Sequence, residues 1–299
     1  MQVRKATLFV LLLSCLVLAM TSIASAGYTA VIAYGDSLSD NGNLFALTGN
    51  PPPPYYMGRF SNGPVTVEQL AASLHSQLID FAYGGATTGL GNVVDGGTQT
   101  HMNFLPGMIP EIVATPSSVW AIAPTSLFVV WGGPNDFFQK PAGSGSVSIA
   151  VGDMLWIIGQ IQAAGGTHIL VPGMPDLSLT PAYYGDPNAQ AFSLAFNQGL
   201  RASLPQGVAY FDTYGFMHKV VAHPSAYGFT DVTDPCLLVC TPSSDQSQYL
   251  FWDTVHPTTA ADQILAEQFA TAIPEPSTFL MLGTGISGLA GLLRRKLAA

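Results

Sequence analysis

Charge is scarce in this 299-residue chain: 9% of its residues are Asp, Glu, Lys or Arg, against 48% hydrophobic. Positive charge is scarcer still, because five of the nine basic residues (Arg4, Lys5, Arg294, Arg295 and Lys296) sit at the two ends. Between the ends only Arg59, Lys140, Arg201 and Lys219 face the acidic residues. Such a surface repels phosphate backbones, which excludes nucleic acid as an expected partner. The high apolar content allows a large core and argues against disorder. Cysteine is also sparse. Beyond Cys15 the thiols are Cys236 and Cys240, spaced C-x3-C in a segment that holds Pro235 and Pro242. In an oxidising compartment this pattern favours a small-loop disulfide. Two sulfurs without a nearby histidine leave a tetrahedral metal site half filled, so no metal is expected there.

The two ends differ in kind from the middle. Residues 1–26 open with Arg4 and Lys5, run apolar from Leu8 to Met20 and close on Ala24-Ser25-Ala26. This is the pattern of a secretory signal peptide. The apolar run continues past Cys15, which places cleavage downstream of it rather than at a lipoprotein acceptor. At the other end, Pro274-Glu275-Pro276-Ser277 precedes an apolar stretch at 279–293 and then Arg294-Arg295-Lys296. The arrangement resembles a PEP-CTERM sorting signal, which implies an exosortase as processing partner. The stretch is slightly short of the roughly 20 residues a membrane span needs, and its basic cluster would stay cytoplasmic. The expected organisation is therefore a signal peptide at 1–26, one globular domain at 27–272 and a sorting tail at 273–299. The globular part is expected outside the cytoplasm, at the cell surface or secreted.

Within the middle, short apolar runs at 28–34, 77–83, 127–131, 167–171 and 208–211 read as buried parallel strands. They alternate with amphipathic helical stretches at 65–75, 146–164 and 189–204. That alternation predicts an α/β fold, a right-handed doubly wound parallel sheet with helices on both faces. The proline run 51–54 and the segment 231–247 read as surface loops. In such sheets ligands sit beyond the carboxyl ends of the strands. Three motifs fall there: Gly35-Asp36-Ser37-Leu38 after the first run, Phe81-Ala82-Tyr83-Gly84-Gly85-Ala86-Thr87-Thr88 at the second, and Gly133-Pro134-Asn135-Asp136 after the third. A fourth, Asp253-Thr254-Val255-His256-Pro257, precedes a helix expected to bury Ile264, Leu265 and Phe269.

Together the four blocks resemble the GDSL family, the SGNH hydrolases, with the blocks in family order between about 29 and 269. The resemblance implies a three-layer α/β/α sandwich with a five-stranded, flavodoxin-like parallel sheet and a serine-dependent ester hydrolase needing no cofactor. It gives Ser37 as nucleophile, His256 as base and Asp253 as its orienter, one turn carrying both of the last two. It also implies an oxyanion hole from the backbone N–H groups of Ser37 and Gly85 and the side-chain amide of Asn135. Family spacing favours Gly85 over Gly84, and a Cβ at 85 is expected to crowd the substrate. Asp40 and Asp136 read as ordinary capping or neighbouring residues. Gly58-Arg59-Phe60-Ser61-Asn62-Gly63-Pro64 and Tyr249-Leu250-Phe251-Trp252 are similar to the secreted bacterial lipase, phospholipase and hemolysin-like branch. Thr66 and Asp80 depart from that branch, which suggests a different acyl pocket. The substrate expected is a lipid or short-chain acyl ester. The alternatives are deacetylation of exopolysaccharide and a non-catalytic surface or matrix protein on the same fold.

Overall fold

Six consecutive buried residues, Ala30–Gly35, form strand β1. A strand covered on both faces can be apolar throughout, which is why this run shows no alternation. In chain order there follow helix α1 (Asn43–Thr48), helix α2 (Thr66–Ser73) and strand β2 (Gln77–Asp80). Helix α3 (Met108–Val113), strand β3 (Leu127–Trp131), helix α4 (Pro134–Phe138) and helix α5 (Val147–Ala163) come next. Strand β4 (His168–Pro172), helix α6 (Pro187–Ser203), strand β5 (Ala209–Phe211) and helix α7 (Thr213–Ala222) continue the alternation. Strands β6 (Asp231–Pro235) and β7 (Tyr249–Phe251) and helix α8 (Thr259–Ala272) complete it. The computed structural model describes residues 27–241 and 244–273. The expected signal peptide and the apolar stretch of the tail lie outside the described residues.

The main sheet is parallel throughout, in the order β2-β1-β3-β4-β5. This is the flavodoxin-like order, whose direction of winding reverses at β1 and β3. The pleat sends alternate side chains to opposite faces. Ile32, Tyr34, Phe128, Val130, Ile169 and Val171 enter the core beneath α3, α5 and α6, with Met154, Ile158, Phe196 and Leu200. On the opposite face Phe269 of α8 packs edge-on against Trp131 and Phe211. Helix starts are marked by acceptors: Ser146 for α5, Asp186 for α6, Asp212 for α7 and Thr258 for α8. Each satisfies an N–H that the first turn leaves unpaired.

Two expectations change. The segment 231–247 is not wholly a loop, since β6 pairs with β7 through Asp231 opposite Tyr249 and Pro235 opposite Phe251. Its helical turn Cys236–Val239 carries a disulfide between the buried Cys236 and Cys240. On α8 the fully buried positions are Ala261, Asp262, Ala266 and Phe269, while Ile264 and Leu265 are half-buried against the smaller core around Phe216 and Phe251. Among the described residues no helix is long and apolar enough to cross a membrane.

Gly35 ends β1 against the backbone of β3, where a Cβ would collide with the carbonyl oxygen of Trp131. The sheet cannot yield there without losing ladder hydrogen bonds. Gly35→Ala is therefore expected to lower stability by about 2–3 kcal/mol, read as a drop in the denaturant midpoint. An unchanged midpoint would show that the strands part at no cost.

Candidate active site

Three loops meet at the carboxyl ends of β1, β2 and β3. Ser37 follows β1, Gly85 follows β2, and Asn135 lies in the first turn of α4 just after β3. A fourth loop, between β7 and α8, brings His256 to the same place. His256 Nε2 lies 2.7 Å from Ser37 Oγ, and His256 Nδ1 lies 2.7 Å from Asp253 Oδ2. The structure thus joins Ser37, His256 and Asp253 in one hydrogen-bonded chain. The other oxygen of Asp253 accepts the backbone N–H groups of Val255 and His256, both at 2.8 Å. One carboxylate therefore closes the turn and orients the ring together, which is the physical content of the Asp-x-x-His spacing.

The loop that carries His256 is anchored by the block at 58–64. Ser61 Oγ donates to the carbonyl of Pro257, and Asn62 Oδ1 accepts the N–H of Thr259 at the start of α8. Gly63 lies so close to Thr259 that a Cβ would not fit. Phe60 packs its ring 4.9 Å from that of His256. Arg59 forms a two-pronged pair with Glu68 of α2, which fixes the block to the helical layer.

Buried carboxylates set the loops that carry the candidate oxyanion donors. Asp40 Oδ2 accepts the N–H of Gly84 at 2.7 Å, and its Oδ1 accepts those of Gly42 and Asn43. Glu111 bridges the first two loops, accepting from Gly35 N at 3.0 Å and Tyr83 N at 3.2 Å. Asp136 accepts both the N–H and the hydroxyl of Thr88. Asp36 Oδ1 accepts the N–H of Leu38, and its Oδ2 faces the amide of Asn135 at 3.3 Å. That amide also donates to the Ala86 carbonyl at 3.0 Å. Gly84 N–H is occupied, whereas the backbone N–H groups of Ser37 and Gly85 have no acceptor among the described residues. Asp40 and Asp136 therefore do more than the capping read from the sequence.

Gly85 has a positive φ of 82°. A Cβ there would strike Asn92 and Val94, so the protein's own packing requires the glycine. Thr66 and Asp80, the two departures from the branch pattern, are both hydrogen-bonded in the structure. Thr66 Oγ1 donates to Asp262 at 2.7 Å between α2 and α8, and Asp80 accepts the N–H groups of Asn41 and Ala82. Both are structural hydrogen-bond partners. Tyr55, next to the proline run, was not singled out by any motif, yet its hydroxyl donates to Asp253 Oδ2 at 2.8 Å. Outside the four blocks, His218 pairs with the buried Asp176 at 2.8 Å. Among the described residues no group of three or more His, Cys, Asp or Glu could hold a metal ion.

The family GDSL-like Lipase/Acylhydrolase matches residues 31–269, and the PEP-CTERM protein-sorting motif matches residues 272–296. Thermolabile hemolysin of Vibrio parahaemolyticus is 28% identical over 276 residues, covering 80% of this chain and 62% of the hemolysin. The chain thus spans less than two thirds of that relative's length. Phosphatidylcholine-sterol acyltransferase of Aeromonas hydrophila is 26% identical over 336 residues, covering 91% of this chain and 98% of that protein. Among solved structures, a putative GDSL-like lipase from Parabacteroides merdae superimposes with a TM-score of 0.52 at 16% identity, covering 82% of this chain and 96% of that one. This last likeness is one of fold.

Burial dominates the electrostatics. It pushes Asp36 and Asp136 up to about 7, and Glu111 well above the usual carboxylate range, against the opposing pull of their hydrogen bonds. Burial also acts to raise Asp253, but the charge and hydrogen bond of His256, with the two backbone donors, outweigh it and bring Asp253 down to about 2. For His256 burial acts downward, and the charge and hydrogen bond of Asp253, with the charges of Asp36 and Asp262, overcome it, so the imidazole lies above its ordinary value. The raised carboxyls hold protons in the folded state that the unfolded chain releases near pH 4, so stability falls as pH rises from about 4 to 7. His256 adds in the same direction, since its stabilisation is present below about 6.5 and lost above its folded pKa. Asp253 is ionised in both states above about pH 5, so it does not oppose the trend over that range. The thermal midpoint is therefore expected to be higher at pH 5 than at pH 8, and a midpoint that increases with pH over that range would contradict the assignment of these carboxyls.

Proposed function

The chain belongs to the GDSL-like lipase/acylhydrolase family, and we propose that it is an extracytoplasmic, serine-dependent carboxylic-ester hydrolase of the lipase/esterase type. The observation that carries this reading is the unbroken chain from Ser37 Oγ through His256 to Asp253. Ser37 Oγ attacks the ester carbonyl carbon while His256 Nε2 takes its proton, and Asp253 stabilises the resulting imidazolium. The carbonyl oxygen, now an anion, is received by the N–H groups of Ser37 and Gly85 and by the Asn135 amide, which exchanges its long contact to Asp36 for the oxyanion. As the tetrahedral intermediate collapses, His256 returns the proton to the departing alcohol. Water then repeats the sequence on the acyl-enzyme, releasing the acid and restoring Ser37. No step needs a metal or an organic cofactor.

We propose lipid or short-chain acyl esters as the substrates, with acetylated sugars as the alternative. Leu38, Val255 and Pro257, neighbours of Ser37 and His256, line a small apolar cavity of about 60 Å³ with Met217, Phe229 and Ile264, and apolar walls beside the site are the feature that supports an acyl chain. The sorting motif supports surface targeting or secretion. We infer export through residues 1–26 as signal peptide, hydrolysis by the domain at 27–272, and exosortase processing of the tail at 273–299.

Ser37→Ala and His256→Ala are each expected to abolish nearly all hydrolysis of a chromogenic acyl ester, with the double variant no worse than either, since nucleophile and base act as a unit. A folded Ser37→Ala protein working at the wild-type rate would overturn the assignment. Asn135→Ala is expected to lower kcat by about 10²- to 10³-fold with KM little changed, because one oxyanion donor is lost. An effect confined to KM would remove Asn135 from the oxyanion hole.

A further inference from the structure

Tyr55 lies outside every sequence block that supplies the proposed chemistry, yet it meets the triad directly. Its hydroxyl donates at 2.8 Å to Asp253 Oδ2, the same oxygen that pairs with His256 Nδ1 at 2.7 Å. Asp253 Oδ1 is taken by the N–H groups of Val255 and His256. The carboxylate therefore has two donors on each oxygen, and three of the four come from its own turn. Tyr55 is the fourth, 198 positions away in sequence.

Its backbone and its ring are both held. The Tyr55 backbone N–H bonds to the Pro52 carbonyl at 3.2 Å, and its ring stands edge-on to Phe60 and Trp252, each at 6.2 Å. Phe60 in turn packs on His256. Burial first, and then the neighbouring Asp253 charge, push the phenol upward, so the hydroxyl stays protonated and remains a donor.

We propose that Tyr55 is a positioning residue that acts through Asp253, fixing the plane of the carboxylate and drawing charge from Oδ2, and so setting the orientation and basicity of His256. The inference rests on the proposed triad. Two consequences have definite signs. Loss of the hydroxyl frees the carboxylate to rotate, which slows proton transfer. It also leaves more charge on Oδ2 facing the imidazolium, which raises the pKa of His256.

The test is Tyr55→Phe, which removes the hydroxyl and keeps the ring between Phe60 and Trp252. With a chromogenic acyl ester, kcat is expected to fall about 10-fold, as for one lost hydrogen bond to a charged group, with KM within about twofold. The acid limb of the kcat/KM profile is expected to move to higher pH by about half a unit. In an Asp253→Ala background the same substitution should cost nothing further, because the group it acts through is gone. An acid limb that stays in place, or an equal loss in the Asp253→Ala background, would overturn the proposal. Ser37→Ala, assayed alongside, separates the two levels: an active Ser37→Ala protein defeats the triad itself, whereas an inactive one beside an unaffected Tyr55→Phe defeats only the role of Tyr55.

Discussion

Backbone N–H groups buried at the ends of parallel strands must find acceptors, and in this protein carboxylates provide them. Glu111 takes those of Gly35 and Tyr83, Asp40 takes that of Gly84, and Asp136 takes that of Thr88. Each bond ties together loops that leave different strands. What they leave open matters as much, since among the described residues the N–H groups of Ser37 and Gly85 have no acceptor. A side-chain oxygen at a fixed distance from two loops sets their spacing more tightly than apolar packing, which tolerates sliding. The arrangement is costly, because few cations accompany the buried acids and burial drives their pKa values up. Protonation of some of them near neutrality is the route by which such a cluster avoids uncompensated charge.

The loop from Asp253 to Pro257 follows a related logic at shorter range. Asp253 uses one oxygen for its own turn and the other for the imidazole, so that loop closure and ring orientation depend on one side chain. The block at 58–64 then holds the loop from outside, through Ser61, Asn62 and the close approach of Gly63 to Thr259. Tyr55 and Phe60 join that support to the ring and the carboxylate themselves. His256 is thus kept in place by local turn chemistry on one side and by a distant segment on the other.

The strands that carry the site were legible because complete burial leaves an apolar run with a clear end. The run at 127–131 is strand β3 at those bounds, and 146–164 contains α5 with its Ser146 cap. The weaker elements gave no comparable signal. Strand β6, Asp231–Pro235, is polar and partly exposed, and it forms only because β7 lies beside it. Helix α7 begins on the Asp212 cap, yet its buried face is small, with Phe216 and Val220 contacting a separate, smaller core. Neither pattern rises above that of a loop until its neighbour is known.

What the sequence determined by itself is the chemistry that short spacing carries: the Asp-x-x-His turn, the glycines at strand ends, the family blocks and the order of strands and helices. These depend on contacts within a few residues or on a periodicity that any reader of the chain can count. The tertiary structure alone decided that the N–H of Gly84 is occupied while that of Gly85 has no acceptor among the described residues, that Gly85 is required by Asn92 and Val94, and that Tyr55 reaches Asp253. Those facts depend on which donor reaches which acceptor across separations of 44 residues for Gly84 and Asp40 and 198 for Tyr55 and Asp253. A hydrogen bond is formed or lost within a few tenths of an ångström, and no local pattern in a chain specifies distances of that size between segments so far apart.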